Sequence, residues 1–488
     1  LAGVVWAACP AINPDCNLNG LADSLDPDCN SNGTPDACES LTDCNTNGLP
    51  DVCEPPQTRS RLEYLGVLEC LQGPAAGAAG TSSSGCSCSF FDLDSDGDVD
   101  LLDYAALQQA APNTVTRWWN PLWSYRLPLT IGAAGYARTD HPATVSLNFT
   151  AALASLGAPG PFAASSLRVV EVDGAGIPID ERVMFQFDPD PGFNAATNAV
   201  GTLTLNLSGT TAAAAERHYE VYFAPASAGL PAACFEPLVS VIDNVSHEGQ
   251  LSFRINTAIG SWYYQKQGAG FASLDDVNGK DWIAYHPGGG SAGEYRGIPN
   301  SGTFHPGYTL STSTLESNGP VRARIRSQTT DGLWECTWDI YPRVATMTML
   351  RVGGTYWFLY EGTPNGTLNT TRQFVVRSNG VQTPLTQDWS GDMPAPEWLY
   401  FGDSITTRFL FVAHHGDDAA SDQFWQMEGN MTVFGFGRQY PCCDKYLTAV
   451  PNRFTVGLAE AANFATAAPL VEAAWRDLAV TVGAAEER

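Results

Sequence analysis

The pattern of apolar and polar positions changes twice along the chain. From Trp118 onward, short alternating segments recur between turn residues, at 125–131, 143–149, 167–172, 184–187, 202–207 and 219–223. In TLTLNLS and HYEVYFA alternate side chains are apolar, so each segment buries one face and wets the other. Strands at this spacing predict an immunoglobulin-like or jelly-roll β-sandwich over 117–235. The segments SFRIN, WYYQK, WIAYH, VRARIRS, CTWDIYP, ATMTMLRV, TYWFLYEG, RFLFVAHH and MTVFGFG are richer in aromatic residues and predict a second, larger sandwich over 236–460. In the tail, 461–488, Leu470, Val471, Ala474, Trp475 and Leu478 stand at helical spacing. They predict a docked helix over 469–479, with a short strand at 480–482.

Before Trp118 the pattern is different. An apolar, β-prone segment, LAGVVWAA, occupies 1–8 within a predicted N-terminal strand at 1–14, and residues 15–56 then offer almost nothing to a core. A helical run at 61–71 (Leu62, Leu65, Leu68, Cys70) and a Gly/Ala/Ser-rich stretch at 73–84 fall in a small module at 57–116. Charge follows the same division. The chain carries 52 acidic and 25 basic residues, a net charge of −27, and residues 1–110 hold 17 of the acids against two arginines. Such a chain does not bind nucleic acid through its phosphates. No apolar run approaches the roughly 20 residues of a membrane-spanning helix, so no transmembrane segment is predicted. Six of the 13 cysteines (Cys9, Cys16, Cys29, Cys38, Cys44, Cys53) crowd the first 53 residues, a density that points to disulfides in an oxidising, extracellular or cell-surface setting. Zinc is disfavoured because paired C-x2-C spacing is absent there. The odd total leaves at least one thiol free or intermolecular. Cys234 and Cys336 are candidates for a bridge between the sandwiches.

Spacing decides what the acid does. Three twelve-residue segments align without gaps: DCNLNGLADSLD (15–26), DCNSNGTPDACE (28–39) and DCNTNGLPDVCE (43–54). Oxygen-bearing side chains stand at positions 1, 3, 5, 9 and 12, with glycine at 6. They are Asp15, Asn17, Asn19, Asp23 and Asp26, then Asp28, Asn30, Asn32, Asp36 and Glu39, then Asp43, Asn45, Asn47, Asp51 and Glu54. Calcium takes roughly six to eight hard oxygen ligands, and glycine lets a short loop turn sharply around the ion. A fourth loop, DLDSDGDVDLLD, offers Asp92, Asp94, Asp96, Asp98 and Asp103, with Asp100 at position 9, apolar Val99 at position 8 and a helical run at 104–110 behind it. The expected cofactor is Ca2+.

The Asp-Cys-Asn-x-Asn-Gly-x-Pro-Asp-x-Cys-Glu repeats resemble those of large secreted proteins of planctomycete-type bacteria and are similar in logic to thrombospondin type 3 repeats. The resemblance implies that calcium and disulfides stiffen residues 15–54 as an extended stalk. The first copy departs from the pattern, with Leu25 where the later copies have Cys38 and Cys53. The fourth loop and its helices resemble a dockerin with one intact EF-hand loop, which implies a cohesin-like partner; a structural calcium clip between domains is the alternative. Residues 118–235 resemble bacterial domains that open on a Trp-x-Tyr-Arg strand, here Trp123 to Arg126.

Chemistry has weaker signals. His286, Glu294, Tyr295, Arg296, His305 and Tyr308 gather around Gly-rich turns, and HHGDD adds His414, His415, Asp417 and Asp418. A Tyr/His/Arg set suits a polysaccharide lyase, in which arginine neutralises a uronate and His or Tyr moves the proton. Glu294 with Glu361 or Asp417 suits a glycosidase. Neither has a spacing motif behind it, and no catalytic residue is assigned. Thirteen Trp and 17 Tyr favour a sugar-binding module only insofar as they are exposed. The reading as a whole is a mainly β, secreted, calcium-binding structural protein. Its segment with Leu1, Val4, Val5 and Trp6 inserts as a donor strand into another copy, building a fibre or surface layer. The alternative is a carbohydrate-active enzyme or sugar-binding module that meets polysaccharide.

Overall fold

Alternation along the strands becomes two-sheet packing. In the computed structural model, residues 15–41, 50, 70–71, 87–92, 94, 96–109, 118–158, 160–439 and 444–488 are described. The predicted donor strand (Leu1, Val4, Val5, Trp6), the third repeat's Asp43, Asn45, Asn47, Asp51 and Glu54, and residues 61–69 of the helical run lie outside the described residues.

The first unit contains β1 (Tyr125–Gly132), β2 (Arg138–Asn148), β3 (Arg168–Val172), β4 (Pro178–Asp180), β5 (Phe185–Pro189), β6 (Val200–Thr211) and β7 (Glu216–Phe223). One antiparallel sheet runs β1-β7-β3-β4 and the other β2-β6-β5. Tyr219, Val221 and Phe223 of β7 meet Leu203, Leu205 and Leu207 of β6 in the shared core. The pleat sends the alternate residue Tyr222 to the outer face, where it joins Trp119 and Trp123. That outer face later receives the acidic segment.

The second unit is built around a nine-stranded antiparallel sheet that runs from the edge strand Ser311–Asn318 to the opposite edge Gln382–Pro384. Two four-stranded sheets complete it, one over 240–276 and one formed by Phe358–Gly362, Met431–Phe436, Asp422–Met427 and Trp389–Gly391. Trp262, Trp338, Phe358, Phe434 and Phe454 fill the core between them. The expected strand WIAYH is irregular, although Trp282 and Ile283 are fully buried. Its aromatic content marked burial and not strand. Among the described residues no helix is long and apolar enough to cross a membrane.

Residues 461–488 divide between the two units. The helix Phe464–Trp475 starts five residues before the predicted 469, because Asn463 caps it by accepting the Thr466 N–H. Its Ala467 and Val471 pack on Phe409, Phe411 and Trp398 of the nine-stranded sheet. The chain then crosses to the first unit, where Ala479–Val482 pairs antiparallel with β1, Leu129 opposite Val482, and Glu486–Glu487 extends the pairing. Arg138 of β2 secures the crossing, its buried guanidinium donating to the carbonyls of Ala473, Arg476 and Asp477. The units also share a polar seam. Gln186 accepts the backbone N–H groups of Val321 and Arg322, while Arg322 pairs with Asp188 at 2.5 Å and Asp339 at 3.5 Å.

The Cys234–Cys336 bridge does not form. Cys336 is a free thiol with no exposed surface in the strand Glu335–Ile340, and Cys234 is disulfide-bonded elsewhere. Cys336 lies in the core beside Tyr264, a packing position and not a bridging one.

Beside the crossing, Arg138 Nη1 lies 3.0 Å from His141 Nε2. Burial, reinforced by the arginine's charge, pushes the imidazole down to about 3. A histidine held neutral when folded binds more protons when unfolded, so its contribution to stability is present above about pH 6.5 and lost as pH falls toward 3. Urea unfolding at pH 7 and pH 5 should show His141→Asn losing up to about 1.4 kcal/mol per pH unit of that dependence. Equal slopes for the variant and the parent would contradict a neutral His141.

Candidate metal centre in the acidic loops

The three described loops obey one hydrogen-bond scheme. The position 1 carboxylate accepts the N–H groups of positions 5 and 6: Asp15 from Asn19 (3.1 Å) and Gly20 (3.2 Å), Asp28 from Asn32 (3.1 Å) and Gly33 (2.7 Å), Asp92 from Asp96 (3.1 Å) and Gly97 (2.9 Å). Position 3 accepts the same position 5 N–H through Asn17, Asn30 or Asp94. The turn this requires puts the position 6 glycines at φ 84°, 89° and 96°, where a side chain is strained. In the cysteine-bearing loops position 9 reaches back to the N–H of position 2, Asp23 to Cys16 and Asp36 to Cys29. The Cys16–Cys38 disulfide ties the first loop to the end of the second.

Position 12 closes each loop. Asp103, in the first turn of the helix Leu101–Gln109, accepts the N–H groups of Asp94 (3.2 Å) and Asp100 (2.7 Å). That closure winds the helix up from Leu101, three residues before the expected 104. Carboxylate oxygens of Asp92, Asp94 and Asp96 lie within 4.8 Å of one another, as do those of Asp98, Asp100 and Asp103. Glu39 accepts from the amides of Asn30 (2.9 Å) and Asn32 (2.5 Å). Val99 is buried at position 8, and Cys70 is bonded to Cys88 just ahead of the fourth loop.

The first loop does not stand free as a stalk. Its position 7 residue is Leu21, where the second loop has Thr34, and Leu21 is buried among Trp119, Trp123, Val170, Val172 and Tyr222 on the outer face of the first sandwich. The Asn120 amide donates to the Leu25 carbonyl at 3.0 Å, and Arg182 donates to that of Leu18 at 3.2 Å. Asn19 Nδ2 lies 2.8 Å from Asp26 Oδ1 and 3.3 Å from Glu181 Oε2. Asp26 is only 8% exposed, and its Oδ2 is buried with no hydrogen-bond partner among the described residues. Burial pushes its carboxyl up to about 6 against the bond from Asn19, with Glu181, Asp15 and Asp23 adding repulsion. An orphaned carboxylate oxygen beside carboxylates that repel it fits a hard cation. Asp15, Asn17, Asn19, Asp23 and Asp26 would hold it. Glu181, which follows β4, would add a ligand that no spacing in the sequence announces.

The catalytic candidates are placed differently. His305 Nδ1 lies 2.6 Å from the Pro306 carbonyl, and Nε2 lies 3.2 Å from that of Tyr295 and 3.4 Å from Glu361 Oε2, so the buried ring faces acceptors on both sides. Glu361 is buried beside it, receiving the Asn300 amide at 3.1 Å, whereas Glu294 and Asp417 are exposed. Arg296 donates to the carbonyls of Ser291, Ala284 and Asn430, and the ring of His286 lies against Gly293. Tyr295 and Tyr308 are exposed, but Trp123, Trp262, Trp282, Trp338 and Trp398 are core. His415 bonds Thr455, and His414 sits at the end of the strand Arg408–His414 in the nine-stranded sheet.

No family model matches this chain, and no curated protein matches it. Among solved structures it is similar to one titled HI1317, with 13% identity, 46% of this chain and 97% of that chain covered, and a TM-score of 0.31. It is also similar to a galactose mutarotase related enzyme from Lactobacillus acidophilus, with 8% identity, 43% of this chain and 98% of that chain covered, and a TM-score of 0.31.

Proposed function

We propose that this chain is a secreted, calcium-binding structural protein that assembles into an extracellular fibre or surface layer through its N-terminal apolar segment. The observation that carries the reading is the orphaned Asp26 oxygen, buried where the first acidic loop sits on the sandwich. Calcium held there relieves the repulsion that Glu181, Asp15 and Asp23 exert on Asp26, and it pins to a β scaffold the segment that leads to Leu1–Ala8. A fixed exit direction is what a donor strand needs if it is to enter a neighbour in one orientation and propagate a head-to-tail array.

Electron microscopy of the full chain, with calcium and with a chelator, tests assembly. Ordered filaments that fray in chelator and are lost on deletion of residues 1–8 are the expected result. Single particles in both conditions, or filaments from the truncated chain, would overturn it. Calcium binding is tested separately by melting the chelator-stripped chain in rising Ca2+. Free ion at 100 times its dissociation constant stabilises a protein by about 2.7 kcal/mol per site, so the midpoint should climb steadily. A midpoint indifferent to calcium would remove the cofactor from the account.

A further inference from the structure

Independently of the acidic loops, the geometry points to a second metal site, for a zinc-like divalent transition ion, formed by Glu397, His414 and Asp418 in the second unit. The paired strands Trp398–Asp403 and Arg408–His414 set Trp398 opposite Ala413. One residue further out, Glu397 therefore faces His414, whose N–H donates to the Glu397 carbonyl at 2.9 Å. The turn that follows brings Asp418 back over the pair.

In each of the three side chains one polar atom is anchored from behind and another is turned to a common point. The Nε2 of His414 lies 2.9 Å from Asn452 Oδ1. That amide's orientation is fixed, because Oδ1 also accepts the Arg453 N–H at 3.0 Å while Nδ2 donates to the Tyr356 hydroxyl at 3.1 Å. The hydroxyl in turn donates to the Ala449 carbonyl. Nε2 therefore carries the hydrogen. Glu397 Oε1 accepts the Asp418 N–H at 2.9 Å, and Asp418 Oδ1 accepts the Ala420 N–H at 2.6 Å. What remains is His414 Nδ1, Glu397 Oε2 and Asp418 Oδ2. Nδ1 is 2.5 Å from Oε2 and 3.9 Å from Oδ2, and the three residues offer ligand atoms all within 4.8 Å of one another.

This is the outer arrangement that metal-binding histidines use, with the far ring nitrogen held by a hydrogen-bonded acceptor so that the near one presents its lone pair. The ring is held in place as well, stacked on Phe454 at 4.8 Å and 14°. One nitrogen and two carboxylate oxygens suit zinc, which accepts four ligands of mixed type, better than calcium, which wants more ligands and oxygen alone. The fourth position falls to solvent. Glu397 and His414 are buried, but the Asp418 side chain is 34% exposed and gives the ion its way in. On binding, the Nδ1–Oε2 pair opens from 2.5 Å to about 3.3 Å around ligand bonds of roughly 2.1 Å.

The test is calorimetric titration of the chelator-stripped full chain with Zn2+ in millimolar Ca2+, which keeps the acidic loops on their preferred ion. Expected is one zinc equivalent. In Asp418→Asn, a change on a loop that leaves the fold intact by circular dichroism, affinity should fall tenfold or more. Asn452→Ala should weaken binding by about 10- to 100-fold through the misheld ring. Failure of the parent chain to take up zinc would overturn the site, as would Asp418→Asn binding it equally well. The three residues would then be a structural buried ion pair.

Discussion

Replacing Arg322 with methionine should destabilise the protein by about 3–5 kcal/mol, the range for removing one partner of a buried ion pair. Arg322 is 2% exposed and holds Asp188 of β5 and Asp339 of the second unit apart by neutralising both. Without it Asp339 keeps the bidentate guanidinium of Arg324, but Asp188 is left with only the neutral donors Gln186 and Ser317. Asp188 must be rehydrated or protonated, and either outcome loosens the contact between the sandwiches. Urea denaturation should therefore show a lower midpoint and a transition that splits in two. Adding Asp188→Asn should recover part of the loss, because the uncompensated charge is then removed. A change under 1 kcal/mol would mean that the seam is wet and weak.

The second large effect is expected at Trp123, which has no exposed surface and donates its indole N–H to the Ser166 carbonyl. Trp123→Ala should cost about 3–5 kcal/mol through the cavity alone. It also removes the platform under Leu21, so a calcium titration of the variant should show weaker binding at the first loop while the second and fourth loops keep theirs. Calcium affinities identical to the parent's would show that the loop's seat and its ion binding are uncoupled.

The strand pattern was legible because a two-faced sheet demands alternation, and β7 carries it plainly in Tyr219, Val221 and Phe223. The register of the acidic loops was legible too, since a turn at glycine closed by N–H groups on the position 1 carboxylate tolerates few other residue types. Contacts between distant segments were hidden. Nothing near Leu21 announces that it packs against Trp119 and Trp123, and nothing in Glu181 or Glu397 marks them as facing Asn19 or His414. These positions acquire meaning from which strand lies beside which. Local signals can also compete. Apolar spacing begins the tail helix at 469, yet the Asn463 cap sets the boundary at Phe464.

The strand Ala479–Val482 and the pair Glu486–Glu487 cover the outer edge of β1, and Glu486 bonds Arg126 from 360 residues away in sequence. Closing so long a loop costs about 3 kcal/mol more than closing one of ten residues. During synthesis the first sandwich can therefore gather its core while one edge still shows bare N–H and C=O groups, until the whole second unit has emerged. An uncovered edge is a template for pairing with another chain. Maturation becomes a race between self-closure and capture by a neighbour, decided by how crowded the nascent chains are.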